Sequence, residues 1–95
     1  MDHPRVAKEI GYFPHMKKFI ELFGWYGSAA ILLAYALVSF SFLQPTSLTF
    51  HLLNATGALG IATDALSKKD YQPGVLNVVW VVIALVAMAR MLVRV

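Results

Sequence analysis

The chain has 95 residues, 59% of them hydrophobic and 14% charged, with a net charge of +3 and no cysteine. That apolar share exceeds the ~45–50% usual in soluble chains, and so small a fold buries too little surface to hide it. The composition excludes a disulfide framework, a thiolate metal site and a cysteine nucleophile, and the basic residues flank apolar runs as membrane anchors do rather than forming a nucleic-acid face.

Residues 1–21 are too polar to cross a bilayer. Within them "HMKKFIELF" sets Met16, Phe19, Ile20 and Phe23 on one helical stripe, with Lys17, Lys18 and Glu21 elsewhere. This segment reads as an amphipathic interfacial lead-in with Pro14 at its start.

Residues 22–95 read as an all-α, three-span transmembrane bundle. The first apolar run, Phe23 to Leu43, carries no charge in 21 residues. About 20 helical residues at about 1.5 Å each cross a hydrocarbon core of about 30 Å. The run is too long and too late to read as a cleaved signal peptide, and "SFSFLQP" offers no small-residue cleavage pattern. Pro45 then disfavours helix at Gln44. A second run extends from Leu48 to Leu66, and a third from Gly74 to Leu92. Between them "SKKDYQPG" carries charges, Pro73 and Gly74 as punctuation. Both connections are short, which makes neighbouring helices antiparallel.

Basic residues set the orientation. Arg5, Lys8, Lys17, Lys18, Lys68 and Lys69 fall on one side of a three-span chain, and Arg90 and Arg94 on the other. By the positive-inside rule the N-terminus is expected in the cytoplasm, with the chain in a bacterial inner membrane. Lys17, Lys18, Lys68, Lys69, Arg90 and Arg94 are the expected headgroup anchors.

The spans also carry polar groups, and these are the candidate functional residues. An unpartnered amide in hydrocarbon costs several kcal/mol, so Asn54 and Asn77 must face protein or water. Either they form interhelical hydrogen bonds, worth on the order of 0.6 to 2 kcal/mol, or they line a solute path. Antiparallel entry places them at different depths, which argues against a direct bond between them. Trp80 follows Asn77 by three residues and shares its face. That pair suits helix packing, and it also suits a sugar-like solute held by hydrogen bond and stacking. Asp64 with Lys68 at i+4 reads as a snorkelling surface pair or as a proton-coupling carboxylate. Gly24, Gly27, Gly57 and Gly60 permit close helix approach, although neither run holds a strict G-x-x-x-G. Trp25, Tyr26 and Tyr71 fit an interfacial aromatic belt. His51, His3 and His15 share no ligand spacing, so no metal or other cofactor is expected. No hydrolase, metalloprotease or phosphate-loop motif occurs, and no enzymatic activity is expected.

The span count, the charged hairpin "ALGIATDALSKKDYQPGVLNVVW" and Asn77 early in the third run resemble the SemiSWEET sugar transporters of the PQ-loop superfamily. Those are half-transporters that work as homodimers, and the resemblance implies that Asn77 contacts sugar. The proline–glutamine turn of that family stands reversed here as Gln44–Pro45, and the family's stacking tryptophan is missing, its place falling near Ile61. The chain is also similar to compact three-span bacterial proteins of unknown function labelled as permeases. Those share the pattern seen at Gly24, Trp25, Gly27, Leu32, Ala34, Tyr35, Leu37 and Ser39. They also share the patterns at Leu52 to Gly60 and at Leu76 to Trp80.

Two functions follow as expectations. One is a SemiSWEET-like half-transporter that moves a small polar solute as a homodimer, with Asn54, Asn77 and Trp80 on the path. The other is a non-catalytic accessory subunit of a larger respiratory or photosynthetic membrane complex, with the same groups binding helix to helix.

Overall fold

The computed structural model describes residues 14–93, which form three helices: α1 (Pro14–Ser39), α2 (Leu48–Ser67) and α3 (Tyr71–Val93). Among the described residues there is no strand. Arg5, Lys8, Arg94 and most of the 1–21 segment lie outside them.

Helix α1 starts at Pro14, whose missing N–H costs nothing in a first turn. It runs without a break through the Met16–Phe23 stripe into the first apolar run, so lead-in and candidate span share one helix. Its 26 residues span about 39 Å at about 1.5 Å each, longer than a hydrocarbon core of about 30 Å. The helix stops at Ser39, short of Leu43, because Ser41 adopts a left-handed conformation at φ 66°. The Phe42 N–H then donates to Leu37 O at 2.8 Å and the Ser41 N–H to Val38 O at 3.1 Å. These paired bonds are those of a Schellman cap.

Ser47 opens α2 in an extended conformation, and its Oγ accepts from the Phe50 N–H at 3.1 Å. A second Schellman cap closes the helix. Lys69 has φ 61°, the Asp70 N–H donates to Ala65 O at 2.8 Å, and the Lys69 N–H to Leu66 O at 3.0 Å. Helix α3 begins at Tyr71 rather than Gly74, which puts Pro73 inside the first turn, where no intrahelical N–H is needed. The connection is therefore shorter than the hairpin sequence suggests.

Helices α1 and α3 each pack along α2 and hardly touch one another. The buried apolar residues are small: Ala30 and Ala34 from α1, Ala55, Ala58, Ala62 and Ala65 from α2, and Ala84 from α3. Large side chains point outward instead, among them Leu32, Trp25, Val82, Ile83 and Leu85, all more than 50% exposed.

Two described helices are long and apolar enough to cross a membrane, over Met16–Ser39 and Tyr71–Val93. Helix α2 has 20 residues, but His51, Asn54, its threonines and Asp64 dilute its apolarity and leave it outside that pair. It is also the helix shielded on two sides, with seven buried residues against two in α3. A shielded helix needs less apolar surface of its own, and its polar groups find protein partners.

Candidate functional site: the groove above α2

Because α1 and α3 stand apart, a groove of about 380 Å³ runs between them with α2 as its floor. Ile31 and Tyr35 form one wall, Leu76, Asn77 and Trp80 the other, and Phe50, Asn54 and Ile61 the floor. The periodicity of helices puts them there: Ile31 and Tyr35 are four apart, as are Phe50 and Asn54, and Asn77 and Trp80 are three apart.

Asn54 is the one buried polar residue among those described, at 7% exposure. Its Nδ2 donates to Phe50 O at 2.8 Å within its own helix, and its Oδ1 accepts from Trp80 Nε1 at 3.4 Å. The second contact is long for a hydrogen bond and ties α2 to α3 weakly. Asn77 Nδ2 donates to Pro73 O at 2.8 Å, the carbonyl of the preceding turn. Asn54 and Asn77 line the same groove without bonding each other, and Trp80 stands as the link between α3 and Asn54.

The same inward turning holds for the hydroxyls of α2. Thr56 Oγ1 bonds Leu52 O and Thr63 Oγ1 bonds Leu59 O, each at 2.8 Å. The Tyr26 hydroxyl reaches Thr56 Oγ1 at 2.7 Å, which joins α1 to the middle of α2. Tyr26 thus bridges α1 and α2, a contact that its reading as an aromatic-belt residue did not include. Its ring stacks on Phe23, 6.2 Å away, and Phe23 on Phe19, 6.4 Å away, in a ladder up one side of α1. The i, i+3 and i, i+4 spacing of those aromatics is the sequence signal for that ladder.

The glycines form the α1–α2 seam. A Cβ on Gly27 would collide with the Gly57 carbonyl oxygen, and one on Gly60 with the Phe23 carbonyl oxygen. A Cβ on Gly24 would lie 2.8 Å from Asp64 Cβ and Oδ2. Asp64 therefore packs against α1 as well as pairing along its own helix. Its Oδ2 accepts from Lys68 Nζ at 3.4 Å, while its buried Oδ1, 3.3 Å from the same nitrogen, has no hydrogen bond of good geometry. Asp64 lies on the seam, away from the groove that holds Asn54, Asn77 and Trp80.

Lys17 and Lys18 are exposed near the start of α1, and Lys68 and Lys69 are exposed at the end of α2, so these four share one end of the bundle. Arg90 is exposed in the last turn of α3, at the opposite end.

A family model matches residues 20–95, from late in the lead-in through all three apolar runs. The chain belongs to that small, uncharacterised bacterial-type family. The family match agrees with the likeness to small bacterial proteins of unknown function and gives no support to a permease or SemiSWEET relationship. No curated protein and no solved structure matches the chain.

Proposed function

We propose that this family member is an integral membrane protein that acts without catalysis as a packing subunit of a larger membrane assembly. Membrane residence is supported by where the apolar side chains point. Helix α3 is the most apolar, yet only 6% of its apolar stretch is buried, and only 22% of that of α1. The core helix of a soluble protein would be mostly buried, and α3 is also far from the N-terminus, where a signal sequence would sit. Lipid, or the apolar surface of a partner, is what such outward faces require. On this reading the apolar runs at about 23–43, 48–66 and 74–92 are three spans, with residues 1–21 at the interface.

The packing role rests on one observation: the polar groups that made transport attractive are bonded within the chain. Asn54 uses both ends of its amide, Asn77 uses its nitrogen, and Thr56 and Thr63 bond their own helix. Their bonds leave little to hold a hydrated solute, and the rest of the groove wall is almost all hydrocarbon and aromatic ring.

Transport is the second reading, favoured by Asn77 and by the half-exposed Trp80 ring on the same wall. It needs a second copy to close the groove into a path. Gentle detergent extraction from the native membrane, followed by mass measurement of the intact particle, separates the two. Fixed stoichiometry with larger subunits supports the packing role. A particle of two 10.5-kDa chains alone, with uptake that Asn77→Ala abolishes, would replace it with transport.

A further inference from the structure

A second groove, also of about 380 Å³, lies at the opposite end of the bundle from the four lysines. It runs between the start of α2 and the end of α3. Thr46, His51 and Arg90 line it at the end where α2 starts and α3 finishes, with Met91 beside Arg90, and Ile83, Val86 and Ala87 form the wall that continues along α3. Among the described residues no acidic side chain lines it. The His51 ring is held edge-on against Phe50, with centroids 5.5 Å apart, on the α2 side. We propose that this groove binds one anionic phospholipid, with the phosphate at Arg90, His51 and Thr46 and an acyl chain along Ala87, Val86 and Ile83. The proposal rests on the membrane residence argued above.

The shape of the chemistry selects the ligand. Polar groups gather at one end of the groove, and hydrocarbon extends from them along α3. Arg90 to Ile83 is two helical turns, about 10 Å at about 1.5 Å per residue. That suits a molecule with a charged head and an apolar tail. A guanidinium supplies several N–H donors in a fork that fits phosphate oxygens, and a threonine hydroxyl and an imidazole N–H add further donors. A partner helix laid in the same groove would cover Arg90 with apolar side chains and leave a desolvated cation, which is costly. Free phosphate would satisfy the mouth and leave the apolar wall unused.

The test uses the full chain purified in mild detergent and native mass spectrometry. The probes are phosphatidylglycerol and phosphatidylcholine of matched acyl chains, with inorganic phosphate as competitor. Wild type should retain one phosphatidylglycerol in preference to phosphatidylcholine. Arg90→Gln should reduce that preference about tenfold, the scale of one charge-assisted hydrogen bond. Ala87→Phe, which crowds the apolar wall, should weaken retention with the head-binding side chains intact. Leu32→Ala, on an exposed face of α1 away from this groove, should leave the preference as it is. Circular dichroism confirms that each variant keeps its helices, and two variants acting on opposite ends of the groove guard against loss of one to misfolding. Equal retention of the two lipids overturns the proposal. So does an unchanged preference in Arg90→Gln, a loss of preference in Leu32→Ala, or complete displacement by inorganic phosphate. Alkaline carbonate extraction of native membranes reads membrane residence separately. Release of the chain there would defeat the membrane reading, whatever the lipid measurement gives.

Discussion

Gly27 on α1 and Gly57 on α2 meet backbone to backbone, with each glycine's missing side chain making room for the other's carbonyl oxygen. A Cβ on Gly57 would stand 2.9 Å from Gly27 O, and one on Gly27 would collide with Gly57 O. Contact this close maximises dispersion between two helices and admits Cα–H···O contacts, the means by which helices adhere where water is absent.

The seam is therefore sensitive to single methyl groups. Gly27→Ala is expected to destabilise the α1–α2 pair by about 1–3 kcal/mol, the usual cost of overpacking. Ala29→Leu, at an exposed position of the same helix, should stay within about 0.5 kcal/mol of wild type. Thermal unfolding in detergent, followed by circular dichroism, measures both. Equal effects from the two would mean the seam is not formed by Gly27.

At Asn54 the prediction turns on what replaces the amide. Asn54→Ala removes the acceptor of Trp80 Nε1 and opens a small space, and about 1–2 kcal/mol of stability should be lost. Asn54→Leu fills that space with hydrocarbon and should cost less. Trp80→Phe removes a long, weak bond and keeps most of the ring, so its effect should be the smallest. A double-mutant cycle of Asn54→Ala with Trp80→Phe should return a coupling below about 1 kcal/mol. A larger coupling would mean that Asn54 and Trp80 act as a strong latch.

These residues also mark how far the sequence could be read. The apolar runs announce three helices, and Pro45 announces the break before α2, whereas the Ser47 cap comes from the structure. Helix ends were less legible. Both α1 and α2 close in Schellman caps whose left-handed residues are Ser41 and Lys69, where glycine would have been the signal. Pro73 reads as a helix breaker, but a first-turn proline breaks nothing. Glycine spacing shows that helices can approach, while the partner across the seam is a tertiary fact. So is the pairing of Asn54 with Trp80, because residues on two helices share no local pattern. The bond from the Tyr26 hydroxyl to Thr56 is a tertiary fact of the same kind.

The two caps give a further expectation. Left-handed backbone costs a non-glycine residue about 1–2 kcal/mol, while glycine loses about 0.5–1 kcal/mol more chain entropy on folding. Lys69→Gly and Ser41→Gly should therefore each raise stability by up to about 1 kcal/mol. Lys69→Val, with a branched side chain in the same conformation, should lower it. A drop in melting temperature for both glycine variants would show that these caps are not what ends the helices.

Asp64 and Gly24 should be coupled. The Lys68 side chain is 54% exposed, so the ion pair with Asp64 adds little, and Asp64→Ala is expected to be mild. Gly24→Ala places a methyl against Asp64 and should be more costly. Asp64→Ala removes the Cγ and Oδ2 contacts but keeps the Cβ that also lies 2.8 Å away, so in that background the same Gly24→Ala should cost only somewhat less. Strict additivity of the two substitutions would disprove that contact.

Three antiparallel spans are the central claim, and the absence of native cysteine makes them directly measurable. Single cysteines are placed at Gln44, Lys68 and Val82, and intact cells are treated with a membrane-impermeant maleimide before and after permeabilisation. The account predicts that Gln44→Cys labels in intact cells, that Lys68→Cys labels only after permeabilisation, and that Val82→Cys labels in neither condition. Labelling of Gln44→Cys and Lys68→Cys from the same side, or ready labelling of Val82→Cys, would contradict it.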